Sequence, residues 1–354
     1  MPIDRSQAEI IHINLAKCFR GGERQTILLM EQLKSMGGWS QSIILARGQA
    51  LEHELPAPLK SIAVRRIPIT IKGLRTARTA AVVHAHEARG VYTAWLVNRL
   101  YGIPYIITRR VDKPLKTNAL TRDAYRRAFR VVCLSNRIQE MMAQYDDKVR
   151  LTRIPSAFVG FTVDEAQLRL LQQERGRNFV IGHLGALNDV HKGQSVLIEA
   201  VRILRSEIPE LKLWLLGDGP DESSLRALAS GMSSIEFKGF IKNPGAHLAS
   251  MDIFCFPSLQ EGLGSALLDA LNAGVAVVAS SVGGIPDIIQ HERNGLLVPS
   301  GDANALASAI KRLYYDRSLR DRLAETGRKD ALGYTPEVMA ESYDVLYRAA
   351  LTGR

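Results

Sequence analysis

The chain has 354 residues, which suits two domains of ordinary size, and its 46% hydrophobic and 23% charged residues exclude disordered and fibrous proteins. No run approaches the ~18 apolar residues that cross a bilayer, and the first residues lack the pattern of an export signal. The formal charge of +10 lies in residues 1–165 (26 basic, 14 acidic, +12) and not in the remainder (20 basic, 22 acidic, −2), so the first part attracts an anionic partner such as nucleic acid, anionic lipid or a phosphorylated saccharide.

Strands and helices alternate along the first half of the chain. Predicted strands lie at 10–15, 42–46, 81–85, 105–108, 131–134 and 149–154, with an irregular stretch before the third. Predicted helices lie at 23–36, 90–101, 121–129 and from 135 onward. Repeated strand–helix–strand units require right-handed crossovers, so this pattern predicts a parallel sheet covered on both faces.

The second half repeats the pattern. Predicted strands lie at 179–184, 211–216, 253–256 and 275–279, and predicted helices begin at 192, after 220 and near 264. The polar stretch 156–176 predicts a hinge. We therefore expect an α/β protein with two doubly wound, Rossmann-like domains, 1–165 and 166–335, facing each other across a cleft. We expect the last segment, 336–354, to form a helix that packs back on the first domain.

The strongest motif follows the strand at 253–256. A loop presents Glu261, a helix begins among Gly262, Gly264 and Ser265, and Asp269 lies one turn further on. Unpaired N–H groups and the positive end of a helix dipole form an anion site there. Eight residues at helical rise span ~12 Å, about the distance from the hexose to the ribose of a nucleotide sugar. A solvated helix with a capping Glu and an unrelated Asp is the alternative.

This segment resembles the Glu-x7-Glu signature of retaining glycosyltransferases of the GT-B fold, family 4 (glycosyl transferases group 1). Glu261 matches the first glutamate, and Asp269 stands in place of the second. Further motifs of the same family occur in the usual order along the chain, at 21–25, 216–220, 239–240, 283–289 and 294–299. The resemblance implies a nucleotide-sugar donor, retention of the anomeric configuration, front-face substitution and no metal.

The resemblance also implies roles for individual residues. Lys192 would neutralise the departing diphosphate, whereas Ala186 occupies the place of an expected arginine, and His191 is one candidate to compensate. Glu261 would hold the hexose, and Lys192, Glu261 and His86 are the catalytic candidates. The candidate donor-binding residues are Gly21, Gly22, Phe240, Ile241, Glu261, Gly262, Leu263, Gly264, Ser265 and Asp269.

The N-terminal domain is expected to supply the acceptor side. The loop at Gly21 and Gly22 lets backbone amides approach a phosphate or a sugar, with a plain turn as the alternative. His86 ends a predicted strand, where it can bind the donor sugar, orient the acceptor or be a structural histidine. Arg109 and Arg110 form a pair of guanidinium groups suited to an anionic acceptor or a diphosphate, with plain surface charge as the alternative.

Neither cysteines nor histidines predict a metal site. Cys18, Cys133 and Cys255 are widely spaced, so we expect buried free thiols in a reducing cytosol. His84 and His86 are expected to point to opposite faces of their strand, away from a shared ion.

These features predict a metal-independent hexosyltransferase without a cofactor. It would transfer a sugar from a nucleotide sugar, preferably a UDP-sugar, to an anionic saccharide or lipid-linked acceptor of bacterial lipopolysaccharide or cell-surface polysaccharide. We expect it in the cytoplasm, at the inner membrane. An arginine row in 121–130 suits anionic headgroups, with a solvated helix surface as the alternative.

Three other functions were weighed. A nucleotide-sugar epimerase of the same fold needs no acceptor, which fits the basic first half poorly. A dehydrogenase would need the absent GxGxxG motif. A nucleic-acid binder would need a helix-turn-helix, zinc or RNP-like motif, so no nucleic-acid partner is expected.

Overall fold

The computed structural model describes residues 8–16, 19–46, 50–55, 60–64 and 77–353. The chain divides into two compact units. Met1–Ala157 and Thr335–Arg354 form the first, here called the N-unit, and Phe158–Tyr334 form the second, the C-unit. Each unit has its own parallel sheet, so the α/β fold with two Rossmann-like domains is confirmed.

The N-unit contains a seven-stranded sheet in the order β3-β2-β1-β4-β5-β6-β7, and every pair is parallel. Its strands are β1 (Glu9–Asn14), β2 (Ser40–Ala46), β3 (Lys60–Val64), β4 (Val82–Ala85), β5 (Tyr105–Arg109), β6 (Arg130–Cys133) and β7 (Leu151–Arg153). Strand β3 lies in the stretch that was expected to be irregular.

Within the described residues, five helices accompany this sheet before the chain enters the C-unit. They are α1 (Gly21–Met36), α2 (Ala50–Glu54), α3 (Ala88–Tyr101), α4 (Ala119–Arg127) and α5 (Asn136–Tyr145). Side chains cap three of them, as expected for helix starts: Glu87 caps α3, Asn118 caps α4 and Ser135 caps α5.

The C-unit contains a six-stranded parallel sheet in the order β10-β9-β8-β11-β12-β13. Its strands are β8 (Phe179–Leu184), β9 (Leu211–Leu216), β10 (Ile235–Gly239), β11 (Ile253–Phe256), β12 (Ala276–Ser280) and β13 (Leu296–Val298). Trp214, Phe254 and Phe256 are fully buried in it, because both faces of a parallel sheet are covered.

Nine helices belong to the C-unit among the described residues. They are α6 (Glu165–Arg175), α7 (Asp189–Lys192), α8 (Gln194–Leu204), α9 (Glu222–Leu228), α10 (Gly245–Ala249), α11 (Ser265–Asn272), α12 (Ile285–Ile288), α13 (Ala303–Tyr315) and α14 (Arg317–Ala331). No helix in the described part of the chain is long and apolar enough to span a membrane.

The predicted hinge at 156–176 contains a helix, α6. Asp164 caps its start, and Arg175 in its last turn donates to Ser250 O (2.6 Å) and to Asp252 Oδ2 (2.5 Å). These bonds fasten α6 to the C-unit, so the boundary between the units lies between Ala157 and Phe158, eight residues before the expected one.

The last helix, α15 (Pro336–Thr352), packs on the N-unit. Tyr343 and Tyr347 are buried in one cluster with Ile10 of β1 and Leu29 of α1. The α15 helix is therefore part of the N-unit core.

In each sheet the strand order reverses direction once. The reversal falls between β1 and β4 in the N-unit and between β8 and β11 in the C-unit. Open α/β sheets bind ligands outside the carboxyl ends of the strands at such a switch point. Functional side chains are therefore expected at both switch points.

Candidate active site

The C-unit switch point brings Lys192 and Glu261 together. Lys192 ends α7, in the segment after β8, and Glu261 lies in the loop after β11. Lys192 Nζ is 2.5 Å from Glu261 Oε2 and 5.1 Å from the centroid of the Phe256 ring. The side chains are 24% and 15% exposed, so solvent reaches both. The pair is a charged, half-buried group of the kind expected where a substrate binds.

Backbone hydrogen bonds fix the loop that carries Glu261. The N–H groups of Leu259 and Gln260 both donate to His191 O, at 2.9 and 3.1 Å. Gly284 N donates to Glu261 O at 3.3 Å. Gly283 has φ 59°, and a Cβ there would lie 1.8 Å from Glu261 O. Only glycine therefore allows the β12–α12 turn to approach Glu261 this closely.

The start of α11 lies beside Glu261. Gly264 caps the helix with φ 91°, and a Cβ on it would lie 3.5 Å from Glu261 Cγ. Gly262 N donates to Glu261 Oε1 at 3.1 Å, Leu263 is 3% exposed, and Ser265 is the first helical residue. The first N–H groups of a helix have no partner within it, so this end attracts anions. The structure thus brings Lys192, Glu261 and the 262–265 segment together.

Asp269 is buried in α11. It is 6% exposed, and its Oδ1 accepts a hydrogen bond of 2.6 Å from Val159 N. Sequence reasoning missed this bond because the two residues are far apart in the chain. One carboxylate oxygen of Asp269, the residue predicted to bind the ribose, therefore already holds the segment at Val159, where the chain enters the C-unit.

Phe240 and Ile241 follow β10, whose pairing with β9 is irregular near Gly239. The Phe240 side chain is 62% exposed, which is unusual for a large aromatic residue. Both residues follow the end of an edge strand, and their contact with the base stays a prediction.

A buried network supports the loop in which Ala186 replaces the expected arginine. Gln194 Nε2 donates to Ala186 O at 2.9 Å and lies 3.3 Å from His183 Nε2. His183 Nδ1 lies 3.0 Å from Cys255 O, and burial lowers the pKa of His183 to about 4. Sequence reasoning missed Gln194 and His183, since nothing in their spacing marks them.

The N-unit switch point holds three buried histidines. The rings of His84 and His86 have centroids 3.8 Å apart, and His12 Nδ1 is 2.9 Å from His86 Nε2. The expectation that His84 and His86 point to opposite faces is wrong, because alternate residues of a strand share a face. His12, in neighbouring β1, is a further residue that sequence reasoning missed.

The histidine cluster is organised as a hydrogen-bond network. Its ligand atoms lie within 4.8 Å of one another, as in a metal site. However, His84 Nδ1 lies 2.7 Å from Tyr347 OH, and its Nε2 lies 2.7 Å from Thr108 Oγ1. Both ring nitrogens of His84 therefore have hydroxyl partners, so neither is left for an ion. Burial lowers the pKa of all three histidines, that of His12 to about 4, so the rings are neutral near pH 7.

Arg109 and Arg110 do not act as a pair. Arg109 is 6% exposed and donates through Nη2 to Lys113 O, so it holds the loop after β5. Arg110 lies against the first turn of α1, where a Cβ on Gly22 would be 3.2 Å from Arg110 Cδ. Burial raises the pKa of Glu23, and the nearby Arg110 charge opposes that shift. Gly21 and Gly22 are the first two residues of α1 and not the expected loop or plain turn, and of the two arginines only Arg110 lies beside them.

The arginine row of α4 is paired with acidic residues. Arg122 and Arg126 lie 3.4 and 2.8 Å from Asp146 Oδ2, and Arg127 lies 3.0 Å from Asp123 Oδ2. The row is therefore partly neutralised, as in the solvated-surface alternative.

The cysteines follow the expectation where the structure describes them. Cys133 and Cys255 are buried and free, and Cys18 lies outside the described residues.

Comparison with known proteins identifies the class. Residues 178–316 match the family model "Glycosyl transferases group 1". The lipopolysaccharide core biosynthesis glycosyltransferase LpsE of Rhizobium meliloti is 29% identical over 91% of this chain and 94% of its own length. LpsD of the same organism is 35% identical over 38% of this chain and 39% of its own length.

A solved structure shows the same fold over nearly the whole chain. Anabaena HepE, solved in complex with UDP and glucose, superposes with a TM-score of 0.85 at 18% identity, over 97% of this chain and 100% of its own. The C-unit thus carries a glycosyl transferases group 1 domain, and the chain is a glycosyltransferase of the GT-B fold.

Proposed function

We propose that the chain is a retaining hexosyltransferase that uses a UDP-sugar and an anionic saccharide or lipid-linked acceptor, in the synthesis of bacterial lipopolysaccharide or another cell-surface polysaccharide. The observation that carries the proposal is the Lys192–Glu261 pair beside the start of α11. The similarity to LpsE, a glycosyltransferase of lipopolysaccharide core biosynthesis, and to HepE, solved in complex with UDP and glucose, supports these substrate classes.

The donor lies along the start of α11 in this scheme. Lys192 and the amides of 262–265 hold the diphosphate, and fixed positive charge there stabilises the charge that grows on the leaving group. When Lys192 turns to the phosphate, Glu261 is released to accept hydrogen bonds from the hexose. Phe240 and Ile241 meet the base, and Asp269 remains the predicted ribose contact.

The reaction then proceeds on one face of the sugar. The bond from the anomeric carbon to the phosphate oxygen breaks, and the acceptor oxygen bonds to that carbon from the same side. The acceptor proton passes to the departing phosphate, so no protein nucleophile is required. Lys192 and the α11 amides supply positive charge to the phosphate, which is why the proposal includes no metal.

The anionic acceptor is assigned to the N-unit. Arg110 follows β5 at the carboxyl edge of the sheet and lies beside Gly22 in the first turn of α1, whereas Arg109 is engaged with the loop after β5. A guanidinium donates several hydrogen bonds in one plane and suits a carboxylate or a phosphate. Contact with the inner membrane stays a prediction, tested by sedimentation with anionic vesicles.

A thermal-shift panel of UDP-, GDP- and ADP-sugars tests the donor, because a ligand that binds only the native state raises its melting temperature. We expect a shift with UDP-sugars that Lys192→Ala weakens. Chelator should leave it unchanged, and NMR of the product should show retained configuration. A UDP-sugar converted to its epimer without any acceptor would contradict the proposal and favour the epimerase.

A further inference from the structure

A hydrogen-bond chain from Gln41 determines which nitrogen of His12 carries a proton. Gln41 Nε2 donates to Met30 O at 3.0 Å, which orients the amide. The Gln41 Oε1 atom then faces His12 Nε2 at 3.2 Å. An amide oxygen only accepts hydrogen bonds, so His12 Nε2 must donate.

The same reasoning extends to His86. His12 is buried and neutral, so its Nδ1 is an acceptor. His86 Nε2, at 2.9 Å from that atom, must then carry the proton of the neutral His86 ring. His86 Nδ1 is left with a lone pair. This atom is buried and has no hydrogen-bond partner within the described part of the chain.

Two further buried polar atoms lie at the end of the neighbouring strand. Arg109 is the last residue of β5, the strand beside β4, and Arg110 follows it. The Nε atoms of both arginines are N–H donors without a partner among the residues that the structure describes. Buried polar groups are nearly always satisfied, so these unpartnered atoms beside a switch point indicate a polar ligand. A hydroxyl group can donate a hydrogen bond to the unprotonated His86 Nδ1.

We propose that Gln41 and His12 hold His86 in the tautomer with an unprotonated Nδ1, and that His86 Nδ1 accepts a hydrogen bond from one hydroxyl group of a saccharide substrate. Gln41 and His12 are positioning residues of this hydroxyl site, and His86 is its contact. The inference rests on the proposed function, since it assigns part of the saccharide site.

Nitrogen NMR of histidine-labelled protein tests the tautomer. We expect an unprotonated Nδ1 and a protonated Nε2 on His86 of the free protein. Gln41→Leu removes the fixed acceptor and should mix the two tautomers of His12 and His86, whereas Gln41→Glu keeps an acceptor and should restore the wild-type pattern. A protonated Nδ1 on wild-type His86, or an unchanged pattern of protonated ring nitrogens in Gln41→Leu, would overturn the proposed hydrogen-bond chain from Gln41 through His12 to His86.

Saccharide binding is tested in the same samples with D-glucose and D-glucuronate as probes. With UDP present, at least one probe should move the His86 Nδ1 resonance, and Gln41→Leu should weaken that response several-fold. If neither probe moves the resonance, the site holds water only and the saccharide assignment fails. The UDP-induced thermal shift, measured on each sample, shows separately whether the proposed donor function holds.

Discussion

Lys192 Nζ and Glu261 Oε2 lie 2.5 Å apart, although 69 residues separate them in the chain. The diphosphate of a nucleotide sugar placed at the start of α11 must compete with the Glu261 carboxylate for the ammonium group of Lys192. We expect Lys192→Ala to lower kcat for transfer by roughly 10²–10³-fold, the loss typical when one fixed donor to a growing charge is removed. Steady-state rates with a UDP-sugar measure it.

Lys212→Ala is the matched control for the loss of a half-buried lysine. Lys212 pairs with Glu236 at 3.0 Å, with exposures of 27% and 25%. This control should keep wild-type rates, and equal losses in the two variants would remove Lys192 from the site. Glu261→Ala should nearly abolish transfer while circular dichroism shows an intact fold.

Two substitutions separate the roles of Asp269. Asp269→Asn keeps an oxygen for the Val159 N–H bond and removes the charge, so stability should hold while UDP affinity falls. Asp269→Ala removes the acceptor as well and should lower the free energy of unfolding by about 1–3 kcal/mol. Calorimetry with UDP and urea unfolding measure the two effects. Wild-type UDP affinity in Asp269→Asn would confine Asp269 to a structural role.

Gly283 offers a test of the close approach to Glu261. Gly283→Ala adds a Cβ at 1.8 Å from Glu261 O, so the loop must shift and transfer should fall at least tenfold. Gly231→Ala is the control, because Gly231 also has positive φ (76°) but no neighbour within 4 Å. The strained backbone should lower the free energy of unfolding of both variants by about 1 kcal/mol. Similar transfer rates in the two would show that the clash does not reach the site.

Arg110 and Arg109 should give different phenotypes. Arg110→Ala should reduce transfer to the acceptor more than hydrolysis of the donor, because it removes a positive charge from the proposed acceptor site. Arg109→Ala should instead lower the melting temperature, since it removes the bond from the buried Arg109 side chain to Lys113 O that holds the loop after β5. Equal losses of transfer and hydrolysis in Arg110→Ala would reassign Arg110 to the diphosphate.

The buried histidines should make stability depend on pH. Burial lowers the pKa of His12 from 6.5 to about 4 in the folded state. Between these values the unfolded chain binds more protons, so the free energy of unfolding falls as the pH drops from about 6.5 to about 4, by up to about 3 kcal/mol for this group. Urea titrations at several pH values measure it. His12→Gln should show a flatter dependence, and an identical slope would exclude His12 as a source.

Buried strands were predicted best from the sequence. The strands Phe179–Leu184, Leu211–Leu216 and Ile253–Phe256 lie where the apolar runs place them, because a fully buried parallel strand is apolar along its whole length. Edge strand Ile235–Gly239 was missed, and each of its residues is only partly buried. The polar α6 helix was interpreted as a hinge because Leu171 is its one buried side chain.

For the candidate site, the sequence predicted positions and not partners. The motif spacing indicated Lys192 and Glu261, yet their ion pair depends on how two loops meet at the carboxyl edge of the sheet. The bond from Val159 N to Asp269 and the contact of His12 with His86 likewise join distant segments. Such contacts follow from topology, which local patterns do not specify.

The position of α15 has a consequence for engineering. The N-unit is built from both ends of the chain, whereas residues 158–334 form one uninterrupted insertion. Grafting a related insertion between Ala157 and Thr335 would exchange the unit that carries the proposed donor site through two junctions and leave the host core intact. Truncating the last 17-residue helix, far from Glu261 in sequence, would instead remove Tyr343 and Tyr347, whose hydroxyl groups bond to Thr108 and His84.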